Sequence, residues 1–255
     1  MYARGAQNRL DENMEEMRLN KYLASCGVCS RRDADKYIED GRVKVNGKLP
    51  EKGLKVTDED KVEVDGKSVG LVKESTVLAY NKPVGVVCTE RDSHAERTVI
   101  DEISFDKRIT YAGRLDKDSN GLLIMTDDGN LINAMMKGQN RHEKEYVVVV
   151  DKEINGGFLK RMQNGVYLSE LDVTTRGCKI KKLSKNSFNI ILTQGLNRQI
   201  RRMCSELGFE VVSLKRVRVM NIQLGDIREG EYREIKGNEK IELYKLAGIP
   251  LKKNS

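Results

Sequence analysis

Gly113-Arg114-Leu115-Asp116-Lys117-Asp118-Ser119-Asn120-Gly121-Leu122-Leu123-Ile124-Met125-Thr126 sets a carboxylate in a short polar loop directly ahead of an apolar run. The run closes on Asp127-Asp128-Gly129, a turn signal of the kind that ends a strand. A buried strand leaving a polar loop holds that loop rigidly, as a catalytic carboxylate requires. Taken alone, Asp116 equally suits the ordinary work of capping a turn. The rest of the chain decides between the two.

A chain of 255 residues can bury a real core, and one large domain plus a small one is the natural expectation. Charged residues make up 33% and the formal net charge is +7, which points to an anionic partner, nucleic acid ahead of a membrane surface. No run of apolar residues is long enough to span a bilayer, and Met1 to Glu16 lacks the apolar core of a signal peptide. A cytoplasmic location with no membrane partner is expected. The odd number of scattered Cys, 5, fits reduced thiols rather than a disulfide framework. With 2 His and no Trp, catalysis and base stacking must rest on carboxylates, Tyr, Phe and Arg.

Residues 1–16 carry no periodic pattern and read as a disordered lead-in. Leu19, Tyr22 and Leu23 then share a helical face that Gly27 can close, and Ser30 offers an N-cap to a second helix carrying Ala34, Tyr37 and Ile38. Val43 and Val45 alternate with Arg42 and Lys44 before the hairpin signal Asn46-Gly47, and Val62 and Val64 form a later strand closed by Asp65-Gly66. This is a small domain over 17–66, followed by a polar linker over 67–76 and a larger domain over 77–250. Between Arg18 and Lys48 basic residues outnumber acidic ones by 8 to 4, which suits phosphate contact as well as an ordinary solvated face. Cys26 and Cys29 lack the further ligands a zinc site needs and read as small core residues.

In the larger domain Val77 to Tyr80 reads as a strand running into Lys82-Pro83-Val84-Gly85, where Pro fixes φ and Gly permits a tight reversal. A polar stretch over 88–110, with His94 in it, reads as a loop holding one short helix. Leu131, Ile132, Met135 and Met136 have helical spacing, as do Phe158, Leu159 and Met162. Tyr146 stands at the start of a Val-rich strand. After Phe188–Leu192, a helix carries Ile200, Met203, Cys204 and Leu207 on one ridge and Arg198, Arg201 and Arg202 on another. Such a guanidinium cluster normally meets carboxylates or phosphates.

Gly-Arg-Leu-Asp followed by the Ser-x-Gly-Leu-Leu strand resembles the catalytic motif of the bacterial pseudouridine synthases of the RsuA/RluB/RluE/RluF group. Lys-Pro-x-Gly at 82–85, Lys-x-Tyr at 144–146 and Gly-Leu-Asn-Arg-Gln-Ile-Arg-Arg-Met at 195–203 resemble that family's other motifs, in the family's order. Arg18-Leu19-Asn20-Lys21-Tyr22-Leu23-Ala24, with Ser30-Arg31-Arg32-Asp33-Ala34-Asp35, is similar to an S4 RNA-binding domain. Within the group, His142-Glu143-Lys144-Glu145-Tyr146 and the 195–203 segment are nearest the RluF type, which modifies large-subunit ribosomal RNA.

The resemblance implies an α+β chain: a small S4-like α/β domain, then a catalytic domain with a mixed, mainly antiparallel sheet, flanking helices and an active site in a cleft across it. It implies Asp116 as the catalytic residue, Arg201 as its partner, Tyr146 stacked on the target uracil and Ile200 lining the pocket. Arg114, Leu115, Lys117, Leu196, Asn197, Arg198 and Gln199 would touch RNA around a flipped nucleotide, and Arg31, Arg32 and Lys36 would contact phosphates. The substrate implied is structured RNA, 23S ribosomal RNA first and transfer RNA second, acted on by a monomer.

The reaction so implied breaks N1–C1′ of a uridine and rejoins the base through C5. By the resemblance Asp116 would attack at C1′ or at C6, or assist departure of the base, and Tyr146 would relay the C5 proton. Neither redox change nor group donor is involved, so no cofactor and no metal is expected. Three other classes remain open to the residues: an S4-type RNA-binding protein without catalysis, a nucleoside hydrolase using Asp116 with Asp118 or Asp127, and a methyltransferase. The hydrolase would release free uracil. The methyltransferase lacks its glycine-rich loop.

Overall fold

The computed structural model describes residues 16–70, 74–89, 97–103, 105 and 107–250. His94 and all but the last residue of the expected lead-in lie outside them. The chain divides after Glu74 into two compact units.

The first unit opens with β1 (Met17–Arg18), α1 (Leu19–Ser25) and α2 (Arg31–Glu39), and continues with β2 (Val43–Val45), β3 (Lys55–Val56), β4 (Val62–Val64) and β5 (Lys67–Val69). Strand β1 pairs with β3, and β2, β4 and β5 form an antiparallel sheet in that order. The Ser30 side chain accepts the Asp33 N–H at 3.1 Å, capping α2 as its position before the apolar ridge predicts. Leu19, Tyr22, Leu23, Ala34 and the strand valines make one core, with Cys29 inside it and Cys26 against it. Asp65-Gly66 joins two paired strands, with both residues at positive φ as a two-residue hairpin turn demands. Strand β5 therefore occupies the first part of the stretch read as linker. Its Lys67 and Ser68 are exposed, and an edge strand held by backbone pairing needs no apolar pattern.

The second unit contains β6 (Val77–Lys82), α3 (Val99–Glu102), β7 (Thr110–Tyr111), β8 (Asn120–Thr126) and α4 (Gly129–Met136). There follow β9 (Lys144–Val150), α5 (Gly156–Asn164), β10 (Tyr167–Leu168), β11 (Val173–Thr174), β12 (Lys179–Lys182) and β13 (Ser187–Leu192). The last elements are α6 (Gln199–Glu206), β14 (Val211–Val219), β15 (Ile222–Gln223), β16 (Tyr232–Glu234) and α7 (Gly237–Ala247). One sheet runs β12-β13-β9-β14-β8-β6-β16, with β7 on β8 and β15 on β14, and only the β14–β8 pair is parallel. It is the mixed, mainly antiparallel sheet of an α+β chain.

The unbroken apolar run of β8 is explained by burial on both faces. Leu122 and Ile124 pack with Val77, Leu131, Leu243 and Tyr244, while Leu123 and Met125 pack with Leu78, Tyr80 and Val99. Helices α5 and α6 cover β9 and β13, burying Phe158, Met162, Ile200 and Met203 against Val148, Val150, Phe188 and Ile190. Of the α4 ridge, Met136 departs from the core and is 56% exposed.

Strand β14 has two irregularities against β9, between Val211 and Ser213 and between Arg216 and Arg218. Residues two apart in a regular strand share a face, but a bulge between them sends them to opposite faces. Arg216 pairs with Tyr146 and Arg218 with Glu145, so the two arginines leave opposite sides of the sheet.

Candidate active site

The Asp116 loop is held by backbone from every side. Gly85 donates its N–H to Lys117 O at 2.8 Å, so the reversal after Lys82-Pro83 serves to reach this loop. Ser119 N–H closes a turn on Asp116 O at 3.1 Å, and Leu115 N–H points at Cys88 Sγ at 3.5 Å. Arg216, 2% exposed, donates to Leu122 O at 2.6 Å and Arg114 O at 3.3 Å, tying both ends of the loop to β14. Gly121 has φ +102, and a Cβ there would meet Arg216 O at 2.3 Å. The glycine of the Ser-x-Gly motif is thus a point of close backbone contact.

Lys82 is fully buried, at 0% exposure, and its amine donates to Pro83 O at 2.7 Å and Val86 O at 2.8 Å. Burial pushes its pKa down, against the attraction of Cys88, Asp116 and Asp118. It stitches its own turn together beneath the carboxylate. The reading of the Lys-Pro-x-Gly turn by its Pro and Gly passed over this residue, whose signal is a lysine ending a strand of otherwise buried residues.

A cleft of about 490 Å³ opens over the carboxylate. Its floor includes Asp116, Tyr146, Leu214 and Arg216, and its opposed rims are the Met136–His142 segment and the Gln194–Arg198 segment. Ile200 lines it from the first turn of α6. Asp116, Tyr146, Ile200, Arg114, Lys117, Leu196, Asn197 and Arg198, expected to act together, therefore meet in one cavity. Arg114 and Lys117 are exposed at its mouth.

One expectation needs correction. Arg201 is not among the residues lining this cleft, and its anionic partner is Asp118 rather than Asp116. Its guanidinium donates to Asp118 O at 2.8 Å, Ser119 Oγ at 3.3 Å and Val211 O at 3.2 Å, and its Nε lies 3.4 Å from Asp118 Oδ2. Arg198 takes both oxygens of the same carboxylate, at 2.9 and 3.3 Å. Burial would raise the Asp118 pKa, but the Arg198 hydrogen bond and the Arg201 charge outweigh it and hold it low. Helical spacing correctly grouped the arginines, but it carries no information on which of two loop carboxylates they meet.

Leu115 and Gln199, also expected at the RNA, line the same cleft although they are largely buried, at 7% and 4% exposure. Leu115 packs with Tyr80, Val86 and Leu123. Gln199 accepts the Leu196 N–H at 3.0 Å and donates toward Gln194 Oε1 at 3.4 Å, so it shapes the loop that others present.

On the far face of β9, Glu143 and Glu145 are neutralised by Arg218 and Lys179 at 2.6–3.0 Å. Lys144 and Tyr146 alternate with them and face the cleft. In the first unit, Arg31, Arg32 and Lys36 are exposed along α2, free of the core that Ala34 enters.

With this geometry the chain was compared with known proteins. Residues 76–206 match the family model described as RNA pseudouridylate synthase, and residues 17–62 match the S4 domain. The dual-specificity RNA pseudouridine synthase RluF of Escherichia coli (strain K12) is 45% identical over 90% of this chain and 79% of its own. Ribosomal large subunit pseudouridine synthase B of Bacillus subtilis (strain 168) is 36% identical over 90% of this chain and 96% of its own. A crystal structure of a pseudouridylate synthase superposes with a TM-score of 0.65 and 27% identity, covering 90% of this chain and 99% of the other.

Proposed function

The chain belongs to the RNA pseudouridine synthases, with an S4 domain ahead of the synthase domain, and from that premise we propose that its cleft isomerises a uridine of 23S ribosomal RNA with Asp116 as the catalytic group. The observation that carries this is the convergence of Asp116, Tyr146 and Ile200 on one cavity, with exposed cations at its rim.

The target base leaves its stack at a cost of a few kcal/mol. Stacking on Tyr146 returns about 1–3 kcal/mol of that. Arg114, Lys117 and Arg198, with Leu196 and Asn197, receive the RNA around the vacated position. Asp116 acts as the ionised carboxylate, at C1′ or C6 or in assisting departure of the base. Arg201 is a positioning residue here, since it reaches Asp116 only through the Asp118–Ser119 turn that it holds. The Arg31, Arg32 and Lys36 face of the S4 domain adds phosphate contacts, which supply affinity more than choice of base. The site acts in the cytoplasm, in a monomer, without a cofactor, and no helix among the described residues is long and apolar enough to cross a membrane.

The test is tritium release from ribosomal RNA transcribed with 5-tritiated uridine, wild type against Asp116→Asn, with transfer RNA as the second substrate. Release by wild type alone, without free uracil, is expected from large-subunit RNA. Equal release by Asp116→Asn would remove the carboxylate from the mechanism, and release from transfer RNA alone would move the substrate.

A further inference from the structure

The cleft holds an amine that the scheme above leaves unused. Lys144 opens β9, and its side chain shares the face of Tyr146 two residues on; both line the cavity that holds Asp116. Its cross-strand neighbours are Leu192 of β13 and Val219 of β14, which offer no counter-charge. The flanking Glu143 and Glu145 leave the opposite face and are committed to Arg218 and Lys179. Among the described residues the Lys144 amine has neither an ion pair nor a side-chain hydrogen bond.

Charge in the cavity is weighted against the ammonium form. Arg216 acts on Lys144 from β14, and the same cavity is lined by Arg114 and Lys117 from the Asp116 loop, Lys137 and Arg141 from the segment after α4, and Arg198 from before α6, with Asp116 as the anion. Burial, and then Arg216, push the Lys144 pKa down to about 8. The other groups able to take a proton are worse placed: the Tyr146 ring, to which the resemblance gives the relay of this proton, is taken up by stacking on the base. The His142 ring is tied to Ala134 O at 3.2 Å and burial lowers its pKa, while burial raises that of Cys88. Arginine keeps its proton.

We propose that Lys144, as the neutral amine, accepts the proton from C5 of the uracil once C5 has joined C1′. The inference rests on the synthase reading of this site with Asp116 as its catalytic group. When C5 bonds to C1′, the ring carries C5–H on a tetrahedral carbon and a C6=N1 double bond. The C5–H bond breaks, its proton forms an N–H bond with the amine, and its electron pair becomes C5=C6. The former C6=N1 pair moves onto N1, which takes a proton, so the sum is an isomerisation. The ammonium formed among arginines is a strong enough acid to return its proton to N1 or to water.

The experiment is single-turnover pseudouridine formation on large-subunit RNA carrying 5-deuterated or ordinary uridine, for wild type, Lys144→Gln and Lys144→Arg. Both variants are expected to be slower by about 100-fold or more, the usual size of a general-base contribution. Their slow step should show a primary deuterium isotope effect. In wild type the rate should rise with pH and level above about 8, as the neutral amine becomes the major form, and both variants should lose that limb. Full activity of Lys144→Arg would overturn the proposal, because a cation would then suffice. Retention of the pH limb without an isotope effect in Lys144→Gln would do the same. The wild-type isotope and pH measurements stand even where a variant folds poorly, and RNA affinity measured in parallel separates binding loss from proton transfer. Inactive Asp116→Asn beside normal Lys144→Gln sinks this inference alone, whereas active Asp116→Asn sinks the site reading.

Discussion

Gly121 shows how little freedom the residues under the Asp116 loop have. An alanine there must hold φ +102 with its Cβ against Arg216 O, so Gly121→Ala should lose about 3 kcal/mol in urea unfolding. Asp127 carries a different strain. Burial raises its carboxyl pKa, only partly offset by the Thr76 N–H that it accepts at 2.8 Å. A group whose folded pKa is raised contributes stability that is full below the unfolded value and lost as pH rises through the folded one. Asp127→Asn keeps an acceptor for Thr76 and should therefore flatten the stability profile above pH 3.8, leaving the protein at least as stable at neutral pH by thermal melting. At this scale Asp116 was singled out by the motif around it, since an Asp in a polar loop ahead of a strand equally suits a turn cap. Lys82, Lys144 and Arg216 were not, because a lysine or arginine in a strand ordinarily reaches solvent, and only the packing of other elements turns these three inward.

Between elements, the tie that matters most joins α6 to the Asp116 loop. Arg198 and Arg201 approach from the helix, and Asp118 answers with its carboxylate and its carbonyl. Asp118→Asn should leave the fold intact and slow single-turnover isomerisation about tenfold by loosening Asp116, a modest loss because this pair is partly solvated. The Asp118 pKa is held low, so the tie is present above the ordinary carboxylate value and fails only as pH falls through the depressed one. The ratio of wild type to Asp118→Asn should accordingly stay flat across neutral and alkaline pH in a rate profile. Helices and most strands were readable from their periodicity, with the cap at Ser30 marking one start. Strand β5 was not, since Lys67 and Ser68 lie on a polar edge, and neither was the bulge that turns Arg216 and Arg218 apart, since no residue type announces it.

For the molecule as a whole, the net charge of +7 makes RNA affinity salt-sensitive. Replacing Arg31, Arg32 and Lys36 by alanine should reduce the slope of log affinity against log salt by about 2–3, near one for each phosphate no longer neutralised. Single-turnover rates at saturating RNA should be unchanged, because those side chains belong to the binding unit and not to the cleft. The order of motifs made the two-unit plan legible from the chain. The breadth of the cleft was not, since it depends on α4, β9, β14 and α6 arriving from distant parts of the sequence. Part of its shape is a matter of arithmetic. Strand β14 has 9 residues where its neighbour β9 has 7, and the surplus residues, Val212 and Val217, face no substrate. Two bonded strips of unequal length must bend, as a bimetallic strip does, and the strand that bends here is the one that carries Leu214 and Arg216 on the cavity floor. The hollow over Asp116 is thus written partly as a difference in contour length, and trimming both valines would flatten it with every lining side chain still in place.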